Sequence, residues 1–195
     1  MARDGLNYLI ETLRGMTDAT IDDYRIGTAQ YWESGHIQTV LDNHRFDVYR
    51  EQLGIIENWA GGGTVTYLEY QSQFGNYEVT TGGTAVFFIE DGTGANVGTA
   101  SYTPDYQRGR ITFGSTTGGT VYYLTGRSYD LNAAAAEIWR KKAGHYAAAF
   151  DVRTDNHQLS RSQIMTHCIS MADYYESLAG PQVIEIRRGD YWGGE

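Results

Sequence analysis

Between positions 61 and 126 the chain interleaves glycine with Thr, Val, Tyr and Phe, a mixture that opposes helix and favours short strands joined by tight turns. The chain carries 24 glycines against 2 prolines, so its turns must rest on glycine, and no collagen-like period accompanies the excess. With 195 residues, 41% of them hydrophobic, there is material for one packed domain or one domain with a sizeable insertion.

Within the glycine-rich stretch the strand candidates are Thr64 to Tyr70, Tyr77 to Thr80, Ala85 to Glu90, Val97 to Tyr102, Gly109 to Phe113 and Val121 to Leu124. Asp91-Gly92-Thr93-Gly94 supplies a hairpin turn and Gly118-Gly119 another. Five or six short antiparallel strands at this spacing imply a small sandwich or barrel-like sheet.

Either side of this stretch the period is helical. Leu6, Leu9, Ile10 and Leu13 recur at helix spacing, with Gly15 as the stop. The stretch Tyr24-Arg25-Ile26-Gly27 could be extended. A second helix opens at Trp32-Glu33-Ser34, places Ile37, Val40 and Leu41 on one face, and is expected to continue or be closely followed over 42–53. After the strands, 130–150 holds four consecutive alanines and the series Ala136, Trp139, Ala143, Tyr146 and Phe150. The last helix begins at Ser160, whose hydroxyl with Gln163 forms a capping box. Its apolar seam is Ile164, Cys168, Met171, Tyr175 and Leu178, and Gly180-Pro181 ends it. The two seams pair as antiparallel helices, so the core of that pair is expected from Trp139, Tyr146, Phe150, Ile164, Met171, Tyr175 and Leu178.

This gives an α+β reading: a core of about four helices over 1–60 and 128–180, interrupted by a small antiparallel β insertion over 61–127, with an extended C-terminal arm over 181–195. The arm is too short for a core of its own, yet it carries Ile184, Ile186, Arg187, Arg188, Tyr191 and Trp192. Aromatic and arginine side chains are favoured interface anchors, which makes these six the candidate partner contacts.

The chemistry of most enzyme classes is missing. There is no phosphate-binding loop, no nucleophile elbow and no zinc helix. The five histidines are scattered, and a single cysteine, Cys168, excludes both a thiolate-rich metal site and an internal disulfide. Asp91-Gly92-Thr93-Gly94-Ala95-Asn96 lacks the alternating ligands and closing glutamate of a calcium loop. No catalytic residue, cofactor or metal is expected. A net charge of −9 opposes nucleic-acid binding through the overall field. The basic run Arg140-Lys141-Lys142 reads as solvated or subunit-facing surface. Tyr67, Tyr70, Tyr77, Tyr102, Tyr106, Tyr122 and Tyr123 could form a sugar-binding platform, against the plainer reading of cross-strand aromatic pairing. No run approaches the roughly 20 apolar residues of a membrane span and no signal peptide opens the chain, so no membrane role and assembly in the cytoplasm are expected.

Three segments, in order, resemble the head–tail connector (adaptor) proteins of tailed bacteriophages. Tyr123-Leu124-Thr125-Gly126-Arg127-Ser128-Tyr129-Asp130-Leu131-Asn132-Ala133-Ala134-Ala135-Ala136-Glu137-Ile138-Trp139 is similar to the opening of a long alanine-rich helix in that family. Phe150-Asp151, the loop through Thr154-Asp155-Asn156-His157, and Ser160-Arg161-Ser162-Gln163 are similar to the family's entry into a capped helix. Trp32-Glu33, Ile37-Gln38 and Leu41-Asp42 are similar to its N-terminal helix pattern, with Ser34-Gly35 where an acidic residue is common. The resemblance covers 1–60 and 128–180.

It implies a virion structural protein at the head–tail interface, a ring of about twelve copies beneath the portal with double-stranded DNA passing through without sequence-specific binding. The arm would touch the portal, and other surfaces the next neck or tail protein. An acidic subunit suits a channel in which phosphate must slide. The rival readings are another neck component, a stopper or tail terminator, and a glycan-binding module or hydrolase built on the strands.

Overall fold

In a computed structural model the described residues are 2–20, 25–26, 29–60, 64–80, 86–147, 152–154, 157–159 and 161–180. The first helix, α1, is Asn7–Thr17 and runs through Gly15 instead of stopping there. One helical glycine costs about 1 kcal/mol, and the turn beyond it is tied in by Thr17, buried and donating its hydroxyl to the Leu13 carbonyl. The helix ends at Asp18, which adopts the left-handed conformation at φ 50° that aspartate tolerates.

A short ribbon follows, β1 (Arg25–Ile26) paired with β2 (Ala29–Gln30), and then α2 (Ser34–Asn43) with Ile37, Val40 and Leu41 buried. The chain next departs from the helical expectation. Residues 45–60 form two strands, β3 (Arg45–Gln52) and β4 (Gly54–Ala60). The alternation of Phe46 and Val48 with Arg45 and Asp47 suits a strand with one buried face. A bulge between Val48 and Glu51, with Arg50 at φ 46°, then breaks that alternation.

The remaining strands are β5 (Thr64–Gln71), β6 (Phe87–Asp91), β7 (Tyr102–Asp105), β8 (Arg110–Phe113) and β9 (Tyr122–Tyr129). Tyr77 to Thr80 makes only an isolated bridge, Tyr77 to Ser128, and of the expected 97–102 strand only Tyr102 enters one. The strands form two antiparallel sheets, ordered β3-β9-β6 and β4-β5-β8-β7. The chain passes from one sheet to the other at buried Leu53, whose amide donates to the Tyr122 carbonyl. Val48, Phe87, Ile89 and Leu124 of the first sheet share a core with Tyr70, Tyr102, Ile111 and Phe113 of the second.

Then come α3 (Leu131–Ala147), the ribbon of β10 (Val152–Thr154) and β11 (His157–Leu159), and α4 (Arg161–Leu178). The expectation of a helical core with a small β insertion is therefore overturned. Among the described residues the fold is a sheet-rich α+β structure, with four α-helices and seven antiparallel strands in two sheets beside the two short ribbons. The physical reason is that β3, from the segment read as helical, pairs with β9, from the far end of the segment read as an insertion. Both sheets thus draw on both sides of position 60.

The helices have their own core. Leu9, Ile10 and Leu13 of α1, Ile37, Val40 and Leu41 of α2, and Leu131, Ala134, Ala135 and Ile138 of α3 bury together with Trp32 and Tyr129. Where this core meets the sheets, a Cβ on Gly5 would lie 2.2 Å from the Val79 carbonyl oxygen, so the contact admits only glycine.

Candidate functional site

Polar side chains converge at the seam between helices and sheets. Arg3 donates two bonds to the Asp42 carboxylate, at 3.1 and 2.6 Å, and Nε–H to Glu78 at 3.0 Å. The Tyr129 hydroxyl donates to the other Glu78 oxygen at 2.7 Å and accepts from Arg3. Glu78 is buried, and Arg127 stands 3.6 Å from it. Burial alone would raise the Asp42 carboxyl, but the Arg3 guanidinium and Gln38 outweigh it and hold the group below its ordinary value. Burial, and then the hydrogen bond to Glu78, push the Tyr129 phenol up. Four chain segments are pinned by charge-assisted hydrogen bonds.

A second cluster joins the sheets. Ser72 donates to Glu51 at 2.6 Å, Tyr77 reaches both Ser72 and Glu51, and the Gln73 amide donates to Glu51. Burial raises the Tyr77 phenol well above its ordinary value. Tyr77 is fully buried, so this cluster ties the loop at 72–77 to β3 and presents no nucleophile to a substrate.

The tyrosines are divided between core and surface. Tyr70, Tyr77 and Tyr102 are buried, and the rings of Tyr70, Phe113 and Tyr122 pack edge-on or stacked on one another. Three of the seven candidates for a sugar platform are therefore closed to a ligand. The basic run is engaged as well: Arg140 pairs with Glu176, Lys141 with Glu137 at 2.7 Å, and Lys142 is buried and donates to the Asp18 carbonyl. Among the described residues no three metal-ligating side chains gather, and no helix is long and apolar enough to cross a membrane.

Among the described residues, α4 carries four of the exposed large apolar side chains, Ile164, Ile169, Tyr174 and Leu178. Helices α3 and α4 run antiparallel, with Asn132 at the start of α3 donating to the Leu178 carbonyl at the end of α4. Their contact uses Trp139, Ala143, Cys168 and Ala172, with Tyr146, Met165, Met171 and Tyr175 packed partly against it. Two positions of the expected pair core need correction: Ile164 is 40% exposed and Leu178 is 48% exposed. The buried arc of α4 is narrow because small Cys168 and Ala172 bring the helices close. Ile164, in the first turn of α4, and Leu178, its last residue, lie at the two ends of this contact and stay exposed, while Tyr175 packs against the core of α1, α2 and α3. Phe150, Ser160 and the six arm residues Ile184, Ile186, Arg187, Arg188, Tyr191 and Trp192 lie outside the described residues.

Ile164, Met171, Tyr174 and Leu178 follow one another at spacings of seven, three and four along α4, which puts them on one stripe. Tyr174 is 54% exposed and Met171 half-buried. Sequence periodicity found the residues of this helix but not its outer face, because both faces carry apolar side chains.

Near the end of the same helix opens a cleft of about 710 Å³. Its walls include Phe46 and Val48 of β3, Phe74 from the loop at 72–77, Leu131 of α3 and Gly180. Asp130 stands at its edge and caps α3, accepting from the Asn132 and Ala133 amides at 3.0 Å each.

Comparison with protein-family models, with curated proteins and with solved structures gives no match.

Proposed function

We propose that this chain is a virion structural protein that works by assembly, a head–tail connector whose copies close a ring beneath a phage portal and surround the DNA channel. The observation that carries this reading is the stripe on α4 in which Ile164, Tyr174 and Leu178 are exposed with half-buried Met171 between them. A helix with large apolar residues facing outward is stable in a soluble assembly when another surface covers it, and a second copy of the chain is the occupant a ring requires. The resemblance at Trp32, Tyr129 and the entry to α4 supplies the identity of that assembly. The acidic net charge of −9 suits a channel wall that must not hold phosphate. The arm, through Ile184, Ile186, Arg187, Arg188, Tyr191 and Trp192, is the portal contact in this reading.

A stopper or tail terminator of the same neck is the second reading, favoured by one observation: the fold is sheet-rich. The two differ in partner, since only a connector binds the portal directly. Co-expression with a portal protein followed by mass photometry tests both. A portal–ring complex is expected, lost when 181–195 is deleted. Ring formation itself is expected to fail in Ile164→Asp/Leu178→Asp with unchanged circular dichroism. A ring that binds no portal, or a portal complex indifferent to the deletion, would refute the connector assignment.

A further inference from the structure

The cleft beside Gly180 is open, preformed and lies where the chain leaves α4. Its rim is rigid: the Phe74 amide donates to Ser72 Oγ at 3.0 Å, and a Cβ on Gly109 (φ +65°) would lie 2.0 Å from the Phe74 carbonyl oxygen. Phe74 nevertheless leaves 41% of its surface exposed. An exposed aromatic on a fixed rim is suited to anchor a docking segment.

We infer that this cleft is the seat of the chain's own C-terminal segment, Pro181 to Arg188. Three features point to that occupant. Gly180 is itself part of the cleft wall, so the next residues start at its mouth, and Ile184 can lie at most about 14 Å away along an extended chain. In Val183-Ile184-Glu185-Ile186-Arg187 the two isoleucines fall on one face of an extended segment and the charges on the other. The isoleucine face matches Phe46, Val48, Phe74 and Leu131. The charges are complementary in kind: the cleft wall carries Asp47 and Asp130 against Arg187 of the segment, and Arg45, 3.0 Å from Asp47, against Glu185.

A tethered segment competes with any separate partner at an effective concentration in the millimolar range. The seat therefore holds the arm in the free subunit, and a portal must draw it out. The inference stands on the cleft and the chain end and survives failure of the connector reading.

The test is disulfide trapping in the full chain with Cys168→Ala, comparing Phe74→Cys/Ile186→Cys with Asp173→Cys/Ile186→Cys. Asp173 is an exposed control about 10 Å from Gly180 along the helix. Mild oxidation at low protein concentration is expected to give a monomeric, internally linked product for the Phe74 pair, well ahead of the control. Equal trapping of both pairs would overturn the seat, and so would a disulfide-linked dimer, which would assign the cleft to a neighbour's arm. As a second readout that needs no cysteine, a chain ending at Gly180 is expected to lose amide-exchange protection at 74–76 and 131–132. Unchanged protection there also overturns it.

Discussion

Helices α1 and α4 use their residues in opposite ways. In eleven residues α1 buries Leu9, Ile10, Leu13 and Thr17. In eighteen residues α4 buries Cys168 and Ala172 and leaves Ile164, Ile169, Tyr174 and Leu178 exposed. Both are apolar enough to be core helices by composition. The difference lies in the size of the side chains that face inward: α1 fills its contact with leucine and isoleucine, whereas α4 docks on α3 through small residues. Full burial of a leucine contributes about 1.5–3 kcal/mol, so α1 is stabilised within the subunit. For α4 a comparable gain is available only when a second surface covers it.

The contrast fails or sharpens with two measurements. Leu13→Ala should cost about 2–5 kcal/mol in urea unfolding, because a fully buried side chain leaves a cavity. Leu178→Ala should cost about 0.5 kcal/mol or less in the monomer, in line with exposed positions. Equal losses at the two sites would remove the distinction between the helices.

A smaller effect is expected where the helical core meets the sheets. Glu78→Ala removes the acceptor of both Arg3 and Tyr129, and should cost about 1–3 kcal/mol by thermal unfolding. Tyr129→Phe should cost less, since Glu78 keeps Arg3. If Glu78→Ala left stability unchanged, the junction would be held by apolar packing alone.

A further small effect concerns pH. The Asp42 carboxyl lies below its ordinary value, as does that of Glu137, where burial would raise it but Lys141, His44 and Asn43 outweigh that. A folded-state value below the unfolded one contributes stability that is complete above the unfolded carboxylate range near pH 4 and is lost as pH falls below it. Both groups are partly exposed, so screening keeps the term to about 1 kcal/mol or less. Asp42→Asn should flatten the acid limb of a stability–pH curve, and an unchanged limb would show that Arg3 does not hold Asp42 in solution.

Particular residues show why some of this was legible and some was not. The starts of α2 and α3, the strand at 64–71 and the turn at Asp91 follow from local chemistry: helical spacing, β-branched and aromatic runs, and an aspartate whose Oδ1 accepts from Thr93 and Ala95 amides. The segment 45–60 misled because Arg, Glu and Gln favour helix while Phe46 and Val48 give only a brief alternation before the bulge at Arg50. The Arg3–Glu78–Tyr129 junction has no local signature at all, since its members lie 75 and 126 positions from Arg3.

By itself the sequence determined the helices through α2, the strands within the glycine-rich stretch and the helix from Leu131, but not that the period already changes at Arg45. Those are properties of neighbouring residues, fixed by backbone preference and by the spacing of apolar side chains. Only the tertiary structure decided that β3 belongs with β9, that the strands make two sheets, and that α4 turns Ile164 and Leu178 outward. Each of these depends on which distant surface a segment meets, and apolar burial, being without direction, is assigned by contact and not by position in the chain.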